Sequence, residues 1–327
     1  MDNRVVLTQP RRARTRLLSL AAGALLVAAA CNSSPAASPP TGTATPPPPS
    51  APASQPASVA PSAVASAAAS AAASAGAASA LDVEAKEFAY DLPKSVPAGL
   101  THVVLKNTGK EEHQAQIGRL TEGKTIADLT AALANPNPTA ALALLTLVGG
   151  PNLVAPGASG STDVALQPGT HVFLCFISGA DNIPHLAKGM VAPIEVTAPA
   201  ATADLPSGDA AVALQDFAFV GLDSLTAGKH TINVSNKGPQ PHEAGIIKLA
   251  DGKTAADLVA MFNATTPPAG PPPWTDVGGI GALSVGETST MDVDLPAGDY
   301  AFICFVPDAA TGKPHAALGM IGAFAVK

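Results

Sequence analysis

Beyond residue 80 the apolar positions fall in short runs broken by Asn, Gly and Pro, which is the pattern of strands and turns rather than of long helices. His102-Val103-Val104-Leu105 and Thr231-Ile232-Asn233-Val234 are β-rich runs ended by Asn/Gly turn signals. Thr170–Phe176 follows Pro168-Gly169, and Asp299–Phe305 follows Ala297-Gly298, so both read as strands entered from a turn. Further strands are predicted at Val191–Val196 and Ile321–Val326. Helical spacing appears after Thr125 and after Thr254. Each Thr has an Asp three residues on (Asp128, Asp257), the N-cap and N3 positions of a capping box, and Pro136 and Pro267 limit the two helices. Short strands with one helical insertion predict an all-β Greek-key sandwich.

The pattern occurs twice. Val83–Ala89 parallels Val212–Ala218, Asn107-Thr108-Gly109 parallels Asn236-Lys237-Gly238, and Gly123–Leu129 parallels Gly252–Leu258. His113 matches His242 and Cys175 matches Cys304, both pairs 129 positions apart. Two copies in register over this distance are tandem domains, at 81–198 and 199–327, rather than solenoid turns.

The chain ahead of them has a different character. Arg4, Arg11, Arg12, Arg14 and Arg16 precede an apolar run from Leu17 to Ala30 that is too short for a comfortable membrane span, so residues 1–30 read as a signal peptide. The run ends in Ala28-Ala29-Ala30-Cys31, which resembles the lipobox of bacterial lipoproteins. That resemblance implies cleavage before Cys31, lipidation of its sulfur, and a protein anchored outside the cytoplasm, at the cell membrane or the outer membrane. An ordinary secretory leader with an incidental Cys is the alternative. Residues 32–80 carry no charge and consist almost wholly of Ala, Pro, Ser and Thr. They are read, with Cys31, as a disordered 31–80 spacer that holds the folded part off the membrane.

Removing the leader shifts the charge. Residues 1–30 hold five of the 18 basic and one of the 25 acidic residues, leaving 13 against 24, a net of −11. Such a chain is a poor partner for nucleic acid and for anionic lipid, so lipid enters only as a tether.

With Cys31 assigned to lipid, one cysteine remains in each copy, and neither copy can close an internal disulfide. Each thiol sits in the same company. The first copy offers His113 and then Cys175, His185 and Met190. The second offers His242 and then Cys304, His315 and Met320. Pro precedes the late His and Gly precedes the Met in both. This order resembles the cupredoxin, or blue-copper, family. The resemblance implies two tandem cupredoxin-like sandwiches and one copper per domain, held by two imidazoles, a thiolate and a weak axial thioether. It also implies electron transfer or copper handling, with a redox protein as partner. Phe173, Phe176, Phe302 and Phe305 would keep water from the sulfurs. The sequence departs from the family in one respect: nine residues separate Cys175 from His185 and ten separate Cys304 from His315, more than the family's short gap. Closing the longer loop costs only about 1 kcal/mol more, so what matters is where the loop carries the His.

Two-domain nitrite reductases and multicopper oxidases also use tandem cupredoxin domains, with a His beside the blue-site Cys. Here Cys175 is flanked by Leu174 and Phe176, Cys304 by Ile303 and Phe305, and the chain contains no His-x-His pair. The expectation is therefore a protein that is not an enzyme. Two readings compete with copper: a metal-free envelope module that has kept the sandwich, and a Cys175–Cys304 bridge. The remaining His102, His171 and His230 are read as surface or strand-edge residues.

Overall fold

The computed structural model describes residues 78–134, 139–198, 203–266 and 270–327. The expected leader, Cys31 and nearly all of the spacer lie outside the described residues. The first strand, Ser79–Lys86, begins just ahead of the expected domain start.

Among the described residues eighteen strands form two sheets, and each sheet runs through both copies. In the eight-stranded sheet the order is Ala218–Val220, Ala210–Gln215, Gly228–Asn236, Thr288–Leu295, then Ser159–Leu166, Gly99–Asn107, Ser79–Lys86 and Ala89–Asp91. The second half of this order repeats the first in reverse. The ten-stranded sheet does the same about the neighbours Trp274–Leu283 and Leu145–Gly149.

The seam is thus a pseudo-twofold contact between equivalent strands. Thr162 pairs with Met291, its own counterpart, with Ser161 opposite Asp292 and Asp163 opposite Thr290 on either side. In the other sheet Pro151 bridges its counterpart Ile280. There Gly281 N–H donates to the Gly150 carbonyl (2.8 Å) and Asn152 N–H to the Gly279 carbonyl (3.1 Å). Close approach explains the glycine pairs Gly149-Gly150 and Gly278-Gly279. All four have positive φ, and a Cβ on Gly150 would lie 2.0 Å from the Ala115 oxygen.

Alternation explains how one strand serves two cores. On Gly169–Leu174, Phe173 faces the first copy's interior with Cys175 beyond it, among Leu81, Val103 and Ile117. Val172 and Leu174 point the other way, into a cluster with Leu129, Leu147, Ile280 and residues of the second copy. Both faces are buried, so this segment reads as a continuous apolar run instead of an alternating one.

The capping boxes form as expected. Asp128 N–H donates to the Thr125 hydroxyl and Thr125 N–H to the Asp128 carboxylate, opening the helix Ile126–Leu133; Thr254 and Asp257 repeat this for Ala255–Phe262. The first copy adds a short second helix, Thr139–Leu142, not expected from the sequence. His171 corrects the surface reading: it is fully buried, with Nδ1 3.1 Å from the Gly169 carbonyl.

Candidate metal centre

Each strand that carries the cysteine runs out into a loop, and the loop returns. In the first copy Ser178 bridges Pro184 across an excursion of the chain. His185 N–H then donates to the Ile177 carbonyl (2.8 Å) and Leu186 N–H to the Cys175 carbonyl (2.8 Å). The extra residues between Cys and His are spent on this out-and-back path, so they do not separate the two side chains. A 3-10 turn, His185–Lys188, follows. Gly189 ends it at φ 104°, and the reversal brings Met190 O to the Cys175 N–H (3.3 Å). The second copy repeats each step. Pro307 bridges Pro314, His315 N–H reaches Val306 O, Ala316 N–H reaches Cys304 O, and Gly319 at φ 102° turns the chain so that Met320 O meets the Cys304 N–H.

The side chains converge accordingly. In the first copy the Nδ1 atoms of His113 and His185 are 3.1 Å apart and lie 3.9 and 3.5 Å from Cys175 Sγ. In the second, the Nδ1 atoms of His242 and His315 are 2.9 Å apart and lie 4.0 and 3.3 Å from Cys304 Sγ. All six residues are fully buried, and both cysteines are free thiols, which removes the bridge between copies. Met190 and Met320 are fully buried in the same apolar clusters as their cysteines.

Carboxylates behind the imidazoles were not singled out in the sequence. His185 Nε2 lies 2.9 Å from Glu111 Oε2, and His242 Nε2 lies 2.6 Å from Asp216 Oδ1. An Nε2–H donated to a carboxylate leaves Nδ1 its lone pair, aimed toward the sulfur. The two copies hold opposite members of the His pair in this way. In each, the other distal nitrogen, on His113 or His315, has no hydrogen-bond partner among the described residues. Phe88 and Phe217 pack against His185 and His315 at ring distances of 4.9 and 5.0 Å. The repeat did carry a signal for some of these groups, since Glu87-Phe88 and Asp216-Phe217 are equivalent.

Electrostatics follow from burial. Burial pushes the Cys175 thiol up to about 11 and the Cys304 thiol well above its usual value. It lowers His113 and His242, and burial together with the facing His242 lowers His315 to about 4. Beside the second site, burial raises Glu243 to about 7. Without metal, burial thus favours the protonated thiols and the neutral forms of His113, His242 and His315.

The donors fit a metal ion. The circle through the three donor atoms has a radius of about 2.0 Å in both copies, the length of a metal–imidazole bond and within a few tenths of a metal–thiolate bond. A three-cornered set of two imidazoles and one thiol, dry and near a thioether, is chemistry that suits copper.

Each copy has the expected cupredoxin-like sandwich. No family model matches the chain, and no curated protein matches it. Among solved structures it is similar to dithionite-reduced auracyanin from the photosynthetic bacterium Roseiflexus castenholzii, at 28% identity over 37% of this chain and 99% of that one, with a TM-score of 0.26. A multicopper oxidase gives 14% identity over 76% and 88% of the two chains, with a TM-score of 0.23. Copper nitrite reductase from Nitrosomonas europaea gives 15% over 77% and 94%, with a TM-score of 0.22.

A third group lies outside these two centres. His102, Asp163 and Asp292 place ligand atoms within 4.8 Å of one another beside the seam, with His102 Nδ1 2.8 Å from Asp163 Oδ1. Thr290, Thr231 and Ser161 already hydrogen-bond its carboxylates. His230 likewise is paired, with Asp209 and the Thr226 carbonyl. Among the described residues no helix is long and apolar enough to cross a membrane.

Proposed function

We propose that this chain is an extracytoplasmic copper protein, tethered by lipid on Cys31, that transfers electrons or handles copper through two centres. His113, Cys175, His185 and Met190 would hold one ion; His242, Cys304, His315 and Met320 would hold the other. The observation that carries this reading is the donor triangle, two imidazole nitrogens and one sulfur around a point about 2.0 Å from each, built twice from residues far apart in sequence.

Bound copper would supply a one-electron couple. The chain's part is to hold the donors still. Each late His and Met is fixed through backbone hydrogen bonds to the cysteine strand, so the donor set changes little between oxidation states. The apolar surroundings exclude water from the sulfur and, with the carboxylates behind His185 and His242, help set the potential. We assign no substrate turnover to these centres, because Leu174, Phe176, Ile303 and Phe305 stand where a second copper centre would need a His.

Titration of the purified protein with Cu(II) tests the reading. Two equivalents should bind and produce an intense thiolate-to-copper absorption, lost in the Cys175→Ser, Cys304→Ser double variant. Absence of tight binding and of any such band would leave a metal-free sandwich module. Radiolabelled-lipid incorporation, abolished by Cys31→Ala, tests the tether separately.

A further inference from the structure

Between the copies, next to both cysteine loops, lies a cavity of about 640 Å³, a size that accommodates a small organic molecule. Its walls are largely apolar. Phe176 and Leu186 come from the first loop, Phe305 and Val306 from the second, and Leu147 and Trp274 from the seam strands.

The polar groups in it are one-sided. Glu112, Glu243 and Asp276 line it, and no Lys, Arg or His does so among the described residues. Glu112 and Asp276 are hydrogen-bonded to one another in the cavity wall, so the pair shares a proton and carries negative charge that no basic residue of the lining offsets. Gln114 is only 4% exposed, and its Oε1 accepts from Phe176 N–H (3.2 Å). Its amide nitrogen, in the cavity wall, has no hydrogen-bond partner among the described residues. Glu243 is engaged by Phe305 N–H (2.7 Å) and Asn152 Nδ2 (3.2 Å), which fixes that wall.

These features are not by-products of duplication. The counterpart of Glu112 is Pro241, that of Asp276 is Leu147, and Gln114 corresponds to Glu243. The residues that give the cavity its charge are those in which the copies differ.

We propose that this cavity binds a small organic cation with an apolar or aromatic body, its ammonium against the Glu112–Asp276 pair. The body lies against Phe176, Trp274 and Phe305, whose ring faces favour a nearby cation. A hydroxyl or carbonyl oxygen on the ligand accepts from the Gln114 amide.

Calorimetry on the metal-free, full-length protein tests this with three probes: tyramine, 4-ethylphenol, which lacks the amine, and 3-(4-hydroxyphenyl)propionate, which reverses the charge. Tyramine should bind one per chain, at least about tenfold more tightly than 4-ethylphenol, with the propionate weakest. Asp276→Asn and Glu112→Gln should each weaken tyramine by about tenfold or more and shrink its advantage over 4-ethylphenol. Ala187→Trp, at an exposed position on the rim, should obstruct all three probes while the far-ultraviolet spectrum stays that of the parent. Equal affinity for the three probes, no binding of tyramine, or unchanged tyramine binding in both charge variants would overturn the proposal. Because no metal is present, failure here leaves the copper reading standing, and a failed copper titration leaves this site standing.

Discussion

His113 and His185 are 72 positions apart in sequence, yet their Nδ1 atoms stand 3.1 Å from each other, with a free thiol beside both. The thiol proton is the main obstacle to metal. With Cys175 raised to about 11 and Cys304 well above its usual value, each site should release about one proton when it binds copper at pH 7.5. Burial lowers His113, His242 and His315, so these three lose no proton on binding there. Apparent affinity should therefore rise about tenfold per pH unit between pH 7 and 9. Competition titrations against a chelator of known affinity check the slope, and Cys175→Ser alone should halve the stoichiometry.

The carboxylates behind the imidazoles give a site-selective prediction. Glu111→Ala should weaken copper at the first site by about 10- to 100-fold, and Asp216→Ala should do so at the second. Each variant should spare the other site, because Glu111 reaches His185 and Asp216 reaches His242. Spectral titrations in the Cys304→Ser and Cys175→Ser backgrounds separate the two.

Glu243 predicts a pH dependence of folding. Its carboxyl is raised from 4.5 to about 7 by burial, so the folded state binds its proton more tightly than the unfolded state. The stabilisation from this group is full below pH 4.5 and is lost as pH rises through 7. Glu243→Gln has no such loss. Relative to the parent it should gain stability between pH 4.5 and 7.5, by roughly 3 kcal/mol at most. Urea unfolding of metal-free protein at the two pH values measures the difference, and a gain in the opposite direction would refute it.

At the seam, a Cβ on Gly279 would lie 2.4 Å from the Ala244 oxygen, at a φ of 128° that side chains rarely adopt. Gly279→Ala should destabilise the protein by about 2 kcal/mol or more. Gly123, at φ 76° with open space around it, is the control for conformation without crowding, and its replacement by Ala should cost less. Thermal unfolding of both variants compares them.

Much of this arrangement is legible in the chain. The 129-residue offset, the order His, Cys, His, Met and the Thr125–Asp128 and Thr254–Asp257 caps are local or periodic signals. The long Cys-to-His loops were not legible, because their return depends on backbone bonds such as Leu186 N–H to Cys175 O. The seam was hidden for the same kind of reason: nothing in Thr162 or Met291 marks them as partners across a twofold. His171 failed as a surface residue because the strand that carries it is covered on both faces. Glu111 escaped notice because its counterpart is Gln240, and the repeat gave it no emphasis.

The register of the seam has a consequence for how the molecule must exist. Split apart, each half would show bare main-chain donors and acceptors along Ser159–Leu166 or Thr288–Leu295, inviting a stranger's strand. Each half is the other's bandage, as in a self-complementary homodimer whose subunits have been spliced into one polypeptide. The gap between the two centres is therefore measured out by ladder rungs and not by a tether, and it holds its value for as long as the halves stay zipped.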